Sequence, residues 1–177
     1  MCSSKSSGDV ATEASALIAL GSNLDTPLAQ LRRAKAALED LGDLTSSSHL
    51  YRTVPVGGPE GQADYLNAVV QLLPSDSYND PRRLLRALLA IEREQGRVRS
   101  ERYGPRTLDL DLLAYGEVRL ATAALTLPHP EMMHRAFVLV PLCEIAPDFQ
   151  HPVTGETACE ALHRLNRSGV TKTALSW

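Results

Sequence analysis

The order of elements predicts an α+β protein. It is built on a ferredoxin-like βαββαβ core, an antiparallel sheet with helices on one face, and carries additional C-terminal helices. Three observations lead there. Residues 26–42 and 80–96 place leucine and alanine at helical spacing, each behind an X-Pro start and ahead of a glycine. Four other segments are short, apolar or β-branched, and bounded by turn residues. The two kinds follow one another as strand, helix, strand, strand, helix, strand.

Each element has its own reason. ASALIAL (14–20) is an apolar run ending at Gly21, the mark of a buried strand. Thr26 and Pro27 supply an N-cap and a first-turn proline. Leu28, Leu31, Ala34, Leu38 and Leu41 then form one helix face, closed by Gly42. Residues 44–53 are β-branched and serine-rich and read as one strand. The loop VPVGGPEGQA follows, and then the strand 64–73, DYLNAVVQLL. Asp80 and Pro81 start a second helix with Leu84, Leu85, Leu88, Leu89 and Ile91 on its buried stripe, stopped by Gly96. An arginine loop, 97–106, leads to the strand 107–115. Residues 117–136 look irregular. Residues 137–145 and 157–166 read as short helices, the second opened by a capping box at Thr157 and Glu160.

At 177 residues, 44% hydrophobic, the chain is long enough for one core and short for two, so one domain is expected. We expect a disordered leader over 1–13 and a single domain over 14–177. The leader has no apolar core of the kind a secretory signal needs. A net charge of -3 argues against nucleic acid or an anionic membrane as partner. No apolar run is long enough to span a bilayer. Cys2, Cys143 and Cys159 are too few and too far apart for a disulfide framework or zinc site, and Cys143 reads as an inert core thiol. A cytoplasmic location is the expectation; the sequence does not fix the oligomeric state, and a monomer is favoured. Fifteen arginines stand against three lysines, and no GxxxxGK[ST] occurs, so phosphate binding here must rest on arginine forks.

The chemistry gathers in RYGPRTLDLDLLAYG (102–116). Strand alternation sets Asp109 and Asp111 on one face with Thr107, and Leu108, Leu110 and Leu112 on the other. Two carboxylates about 7 Å apart repel each other if left alone. They form either a solvated acidic face or a seat for Mg²⁺, which takes one or two carboxylates and completes its shell with water and substrate phosphates. Arg97, Arg99, Arg102 and Arg106 exceed what two carboxylates need, and the surplus suits a polyphosphate. Gly96 and Gly104 would serve as hinges of that loop. In YLNAVV, Tyr65 and Asn67 share a strand face and offer a ring and an amide to a planar heterocycle. Ser22 lacks a GxSxG elbow, and the histidines form no HExxH, so serine-hydrolase and zinc-protease chemistry are set aside. A ferredoxin-like RNA-binding module would want exposed strand aromatics and a basic surface. A Mg²⁺-dependent phosphohydrolase would use the same two aspartates and leave Tyr65 and Asn67 without a task.

Four segments carry a resemblance to a known family. They are ALGSNL (19–24), YRTVPVGGPEGQADYLNAVV (51–70), EREQGRVRSERYGPRTLDLDLLAYG (92–116) and LTLPHPEMMHRAFVLVPLCEIAPD (125–148). Together they resemble the 6-hydroxymethyl-7,8-dihydropterin pyrophosphokinases of folate biosynthesis. The resemblance implies ATP-dependent pyrophosphoryl transfer to the pterin hydroxymethyl group, releasing AMP. It implies two Mg²⁺ ions on Asp109 and Asp111, with Arg97 and Arg106 assisting the transfer. It implies Glu92, Arg99, Arg102, Leu112, Thr126, His129 and Arg135 around ATP. For the pterin it implies Thr53, Val54, Val56, Tyr65, Asn67 and Phe137, with Tyr65 and Phe137 sandwiching the ring and Asn67 and Thr53 bonding its edge. Leu89, Tyr103, Ala124 and Pro130 depart from what many relatives carry, which bears on ATP affinity and loop dynamics rather than on the reaction.

Overall fold

The computed structural model describes residues 14–24, 26–57, 61–96 and 106–177. The expected leader, Arg97, Arg99, Arg102 and the hinge Gly104 lie outside the described residues, as do residues 58–60 of the glycine-rich loop. Strand β1 (Ala16–Ser22) is buried along almost its whole length and runs through the middle of the sheet. Helix α1 (Pro27–Glu39) follows. The Thr26 side chain makes no capping bond; its backbone carbonyl takes the Gln30 N–H at 3.0 Å instead. Gly42, read as a helix stop, is the first residue of β2 (Gly42–Ser47).

The strand expected over 44–53 is two strands, β2 and β3 (Tyr51–Thr53), both paired antiparallel with β4 (Tyr65–Pro74). Ser48 causes the break. Its hydroxyl accepts the Val69 N–H at 3.0 Å, where a regular ladder would use a carbonyl. Leu50 then turns fully into the core. A side-chain acceptor replacing a backbone one is invisible to periodicity.

Helix α2 (Pro81–Glu94) starts as expected. The Asp80 carboxylate accepts from the N–H groups of Arg82 (2.7 Å) and Arg83 (3.1 Å). Strand β5 (Asp109–Tyr115) pairs with β1. The stretch expected to be irregular holds a small hairpin, β6 (Leu120–Ala121) with β7 (Thr126–Leu127). Helices α3 (Ala136–Ile145) and α4 (Ala158–His163) come next, and the Thr157–Glu160 capping box is present. A last strand, β8 (Val170–Lys172), was not foreseen and pairs with β3. The main sheet runs β5-β1-β4-β3-β8, with β2 also on β4, and its pairings are antiparallel. This is the ferredoxin-like order with an added edge.

The two core helices, α1 and α2, cover one face as expected, and the additional helices α3 and α4 cover the other. Ile18, Leu20, Leu72, Leu110 and Leu112 pack with Leu31 and Leu38 of α1 and Leu84 and Leu88 of α2. The residues of opposite parity, Leu17, Val69 and Leu113, pack with Leu139 and Leu142 of α3 and Ala158 and Leu162 of α4. Both parities of the strands are apolar at that end, so a second layer is needed to remove them from water. Cys143 joins this second layer, and its thiol is pushed up to about 12, by burial first and by Cys159 beside it.

Glu144 of α3 ties that layer to the sheet edge. Its carboxylate accepts from the His49 N–H at 3.0 Å, the Tyr51 hydroxyl at 2.9 Å and the Lys172 ammonium at 3.3 Å, and pairs with the His49 ring. Burial alone would raise this carboxyl; the bonds from His49, Tyr51 and Lys172 outweigh it and hold it below the usual glutamate range. A lowered folded-state value means stability that is present above the unfolded glutamate value and lost as pH falls through the folded one. Glu144→Gln should therefore flatten the acid limb of the stability curve below about pH 4.3. Unfolding midpoints across pH 2.5–6 (roughly the carboxylate range) check this, and an unchanged acid limb would refute it.

Candidate active site

The site lies where the second helical layer stops. On the face it shares with Leu17, Val69 and Leu113, each central strand becomes small or polar toward its other end. Antiparallel register brings those ends together. Asn67 of β4 pairs with Gly21 of β1, which pairs with Asp109 of β5. One step in, Val69 pairs with Ala19, and Ala19 with Asp111. An amide and two carboxylates thus share one floor, separated only by alanine and glycine. Above it opens a cleft of about 320 Å³.

The two carboxylates are placed as alternation predicts. Asp109 pairs with the Arg106 guanidinium. Asp111 is partly buried, and its carboxyl is raised, by burial first and then by the charge of Asp109; His129, Arg135 and Arg106 pull the other way. Among the described residues no group of three or more His, Cys, Asp or Glu gathers as a metal cage. A pair of carboxylates with one held up by its neighbour fits a hard cation that brings its remaining ligands with it.

Opposite stands the aromatic and amide wall. The Asn67 amide is buried and donates to the Thr53 hydroxyl at 2.6 Å. Tyr65 lies beside it; burial, then Asp109, push its phenol up, against the pull of Arg106. Phe137, at the start of α3, closes the far side, with the Arg135 guanidinium 5.8 Å from its ring centroid. Val54 and Val56 line the rim with more than half of their surface exposed, 54% and 71%, an apolar lip that a ligand would cover.

Several expected residues stand elsewhere. Glu92 is buried under the sheet, where its carboxylate accepts the Leu110 N–H at 2.8 Å, between the two aspartates. Leu112 is packed in the layer of α1 and α2, because its parity is opposite to that of Asp111. Neither side chain lines the cleft. Thr126 is exposed on β7. His129 is half-buried, its N–H on the Leu113 carbonyl at 2.7 Å and its Nδ1 accepting from the Glu131 N–H at 3.2 Å. Arg106, Arg135, Thr53, Val54, Val56, Tyr65, Asn67, Phe137 and both aspartates do line it.

Sequence reasoning missed Glu131 and His134, which line the mouth, and above all Gly21 and Asn23. A β-carbon at Gly21 would stand 2.6 Å from the Asn67 side-chain oxygen. Asn23 joins the two loops that flank the cleft: its amide donates to the Ala63 carbonyl at 3.1 Å and accepts the Arg106 N–H at 2.8 Å. The available signal was the run ALGSN, whose small residues break an otherwise apolar strand.

Fold and cleft together define the class: a ferredoxin-like α+β protein with a composite site, carboxylates and arginine on one side, amide and aromatics on the other. The profile of the 7,8-dihydro-6-hydroxymethylpterin-pyrophosphokinase family matches residues 17–147, and the chain belongs to that family. It is 44% identical over 157 residues to the 2-amino-4-hydroxy-6-hydroxymethyldihydropteridine pyrophosphokinase of Synechocystis, covering 88% of this chain and 78% of that one. The Haemophilus influenzae enzyme of the same name is 48% identical over 139 residues, 77% of this chain and 84% of that one. The Methylorubrum extorquens enzyme is 42% identical over 159 residues, 89% and 97%. Among solved structures, Plasmodium falciparum HPPK-DHPS matches with a TM-score of 0.64 at 15% identity, covering 85% of this chain. This chain spans 44% of that longer one, and the likeness bears on the fold.

Proposed function

We propose that this protein carries the activity of its family. It is a diphosphokinase that transfers pyrophosphate from ATP to the hydroxymethyl group of 6-hydroxymethyl-7,8-dihydropterin, giving the diphosphate and AMP, in folate biosynthesis. One observation supports this most: the row Asn67–Gly21–Asp109 joins a heterocycle-reading amide to a phosphate-side carboxylate across a single small residue.

The pterin lies between Tyr65 and Phe137, its edge on Asn67 and Thr53, under the lip of Val54 and Val56. A buried amide held by a hydroxyl offers fixed hydrogen-bonding groups, and such groups reject rings that cannot match them. The triphosphate lies over Asp109 and Asp111, with Arg106, Arg135 and His129 on its flanks; family resemblance assigns it Arg97, Arg99 and Arg102 as well, which lie outside the described residues. Asp109 and Asp111 would hold Mg²⁺, two ions by family resemblance, which when bound neutralises phosphate charge. The hydroxymethyl oxygen attacks the β-phosphorus in line and the bridging oxygen leaves with AMP. Little covalent help is needed; alignment and charge complementarity carry the rate. Glu92 holds the Leu110 amide and so sets the height of both flanking aspartates. The same proposal has the protein acting as a monomer in the cytoplasm, as a single domain over 14–177. Among the described residues no helix is long and apolar enough to cross a membrane.

The test is product analysis with ATP, Mg²⁺ and 6-hydroxymethyl-7,8-dihydropterin. AMP should appear only when the pterin is present. Phosphate release without pterin would replace transfer by hydrolysis.

A further inference from the structure

The chain after α4 returns to the cleft from outside. Strand β8 pairs with β3, Thr53 opposite Val170, so the next pair outward is Val54 opposite Gly169. The Val54 N–H donates to the Gly169 carbonyl at 3.1 Å. Beyond Val54 the lip leaves the sheet, and among the described residues this is the last backbone bond holding it from that side.

Gly169 does more than accept a bond. A β-carbon at this position would come within 2.6 Å of Val54 Cγ2 and within 3.8 and 3.9 Å of its Cβ and Cγ1. Its backbone is not in the left-handed region, so space rather than conformation calls for glycine here. The bare α-carbon lets Val54 lie flat against β8, and the side chain of Val54 thereby reaches the cleft that it lines.

The segment is fastened along its length. The Thr173 N–H and hydroxyl both donate to the Leu50 carbonyl, at 2.9 and 3.0 Å. The Trp177 indole N–H donates to the Ser48 carbonyl at 2.9 Å, in the break between β2 and β3, and the Lys35 ammonium sits 4.8 Å from the ring centroid. Arg32 donates to the Ser176 carbonyl at 2.6 Å. A strap held at Ser48, Leu50 and α1 does not yield easily at Gly169, so an added atom there moves Val54 instead.

We propose that Gly169 is a positioning residue for the pterin wall, and that the strand it opens sets the place of Val54 and thereby the affinity for pterin. This rests on assigning Thr53, Val54 and Val56 to the pterin. The added methyl of Gly169→Ala overpacks against Val54 and should raise the pterin Kd about fivefold or more, leaving the ATP Kd nearly unchanged.

The experiment is a double-mutant cycle on the full chain. Kd values for 6-hydroxymethyl-7,8-dihydropterin and for ATP are measured in the wild type, G169A, V54A and G169A/V54A. Since the closest approach is to Val54 Cγ2, which alanine lacks, the Gly169 substitution should have no further effect in the V54A background. Wild-type pterin affinity in G169A, an equal loss in both backgrounds, or a matching loss of ATP affinity would overturn the proposal. If the wild type binds ATP but not the pterin, the assignment of the wall fails first and Gly169 falls with it. That outcome is distinct from failure of Gly169 alone, in which the wild type still binds the pterin.

Discussion

Asp111→Asn should lower turnover by about three orders of magnitude and at the same time stabilise the metal-free protein. Both effects have one cause. Asp111 lies partly buried one residue-pair from Asp109 on the same face, and burial and the charge of Asp109 raise its carboxyl despite three nearby cationic or ionisable groups. A carboxyl raised in the folded state binds its proton more tightly there than in the unfolded chain. Stability is then lost as pH rises from the unfolded value, about 3.9, through the folded one, and the cost is fully present above it. Above the folded value the protein carries that cost to keep a charge ready for substrate. Asparagine removes the repulsion and the charge together. The measurements are AMP formation with saturating substrates and thermal unfolding in the presence of a chelator. Near-normal turnover would place the metal site elsewhere. A lower midpoint would show that the carboxylate pair is not under electrostatic strain.

Gly21→Ala should cost about 10- to 100-fold in pterin affinity. The new methyl carbon would stand 2.6 Å from the Asn67 side-chain oxygen. Asn67 cannot retreat cheaply: it is buried, its amide is engaged by Thr53 at 2.6 Å, and its backbone is locked in the centre of the sheet. The side chain must rotate away from the heterocycle or the strands must part. Rotation leaves a buried amide unpaired, at about 1–3 kcal/mol. Titration calorimetry with the pterin reads the loss, and circular dichroism checks that the sheet persists. Unchanged affinity would mean that Asn67 does not read the ring. The variant also separates two roles of the small residues: Ala19, between Val69 and Asp111, already bears the methyl that Gly21 does not tolerate.

Much of the framework was legible in local pattern. The helix starts at Pro27 and Pro81, the capping box at Thr157 and the strand around Asp109 all follow from neighbours within four residues, the range over which periodicity and capping act. Alternation alone placed Asp109 and Asp111 on one face and the leucines on the other. The same rule, carried further, puts the Leu112 side chain in the helical layer. What failed was nonlocal. Ser48 interrupts a strand because of Val69, 21 residues away. Helices α3 and α4 cover the second face because Leu17, Val69 and Leu113 meet there. Strand β8 exists because β3 offers it an edge.

Sequence by itself determined where the helices start, where most of the core strands run and which chemical groups they carry: paired carboxylates, an arginine-rich loop, an aromatic, an amide. These depend on side-chain period, caps and turn residues, all short-range. Only the tertiary structure decided which groups meet. Register across three antiparallel strands set Asn67, Gly21 and Asp109 in one row and ended the second helical layer just short of them, leaving a cleft. It also turned two glycines, Gly21 and Gly169, into residues defined by the atom they lack. That property depends on what packs against the α-carbon from a distant part of the chain, and no local pattern records it.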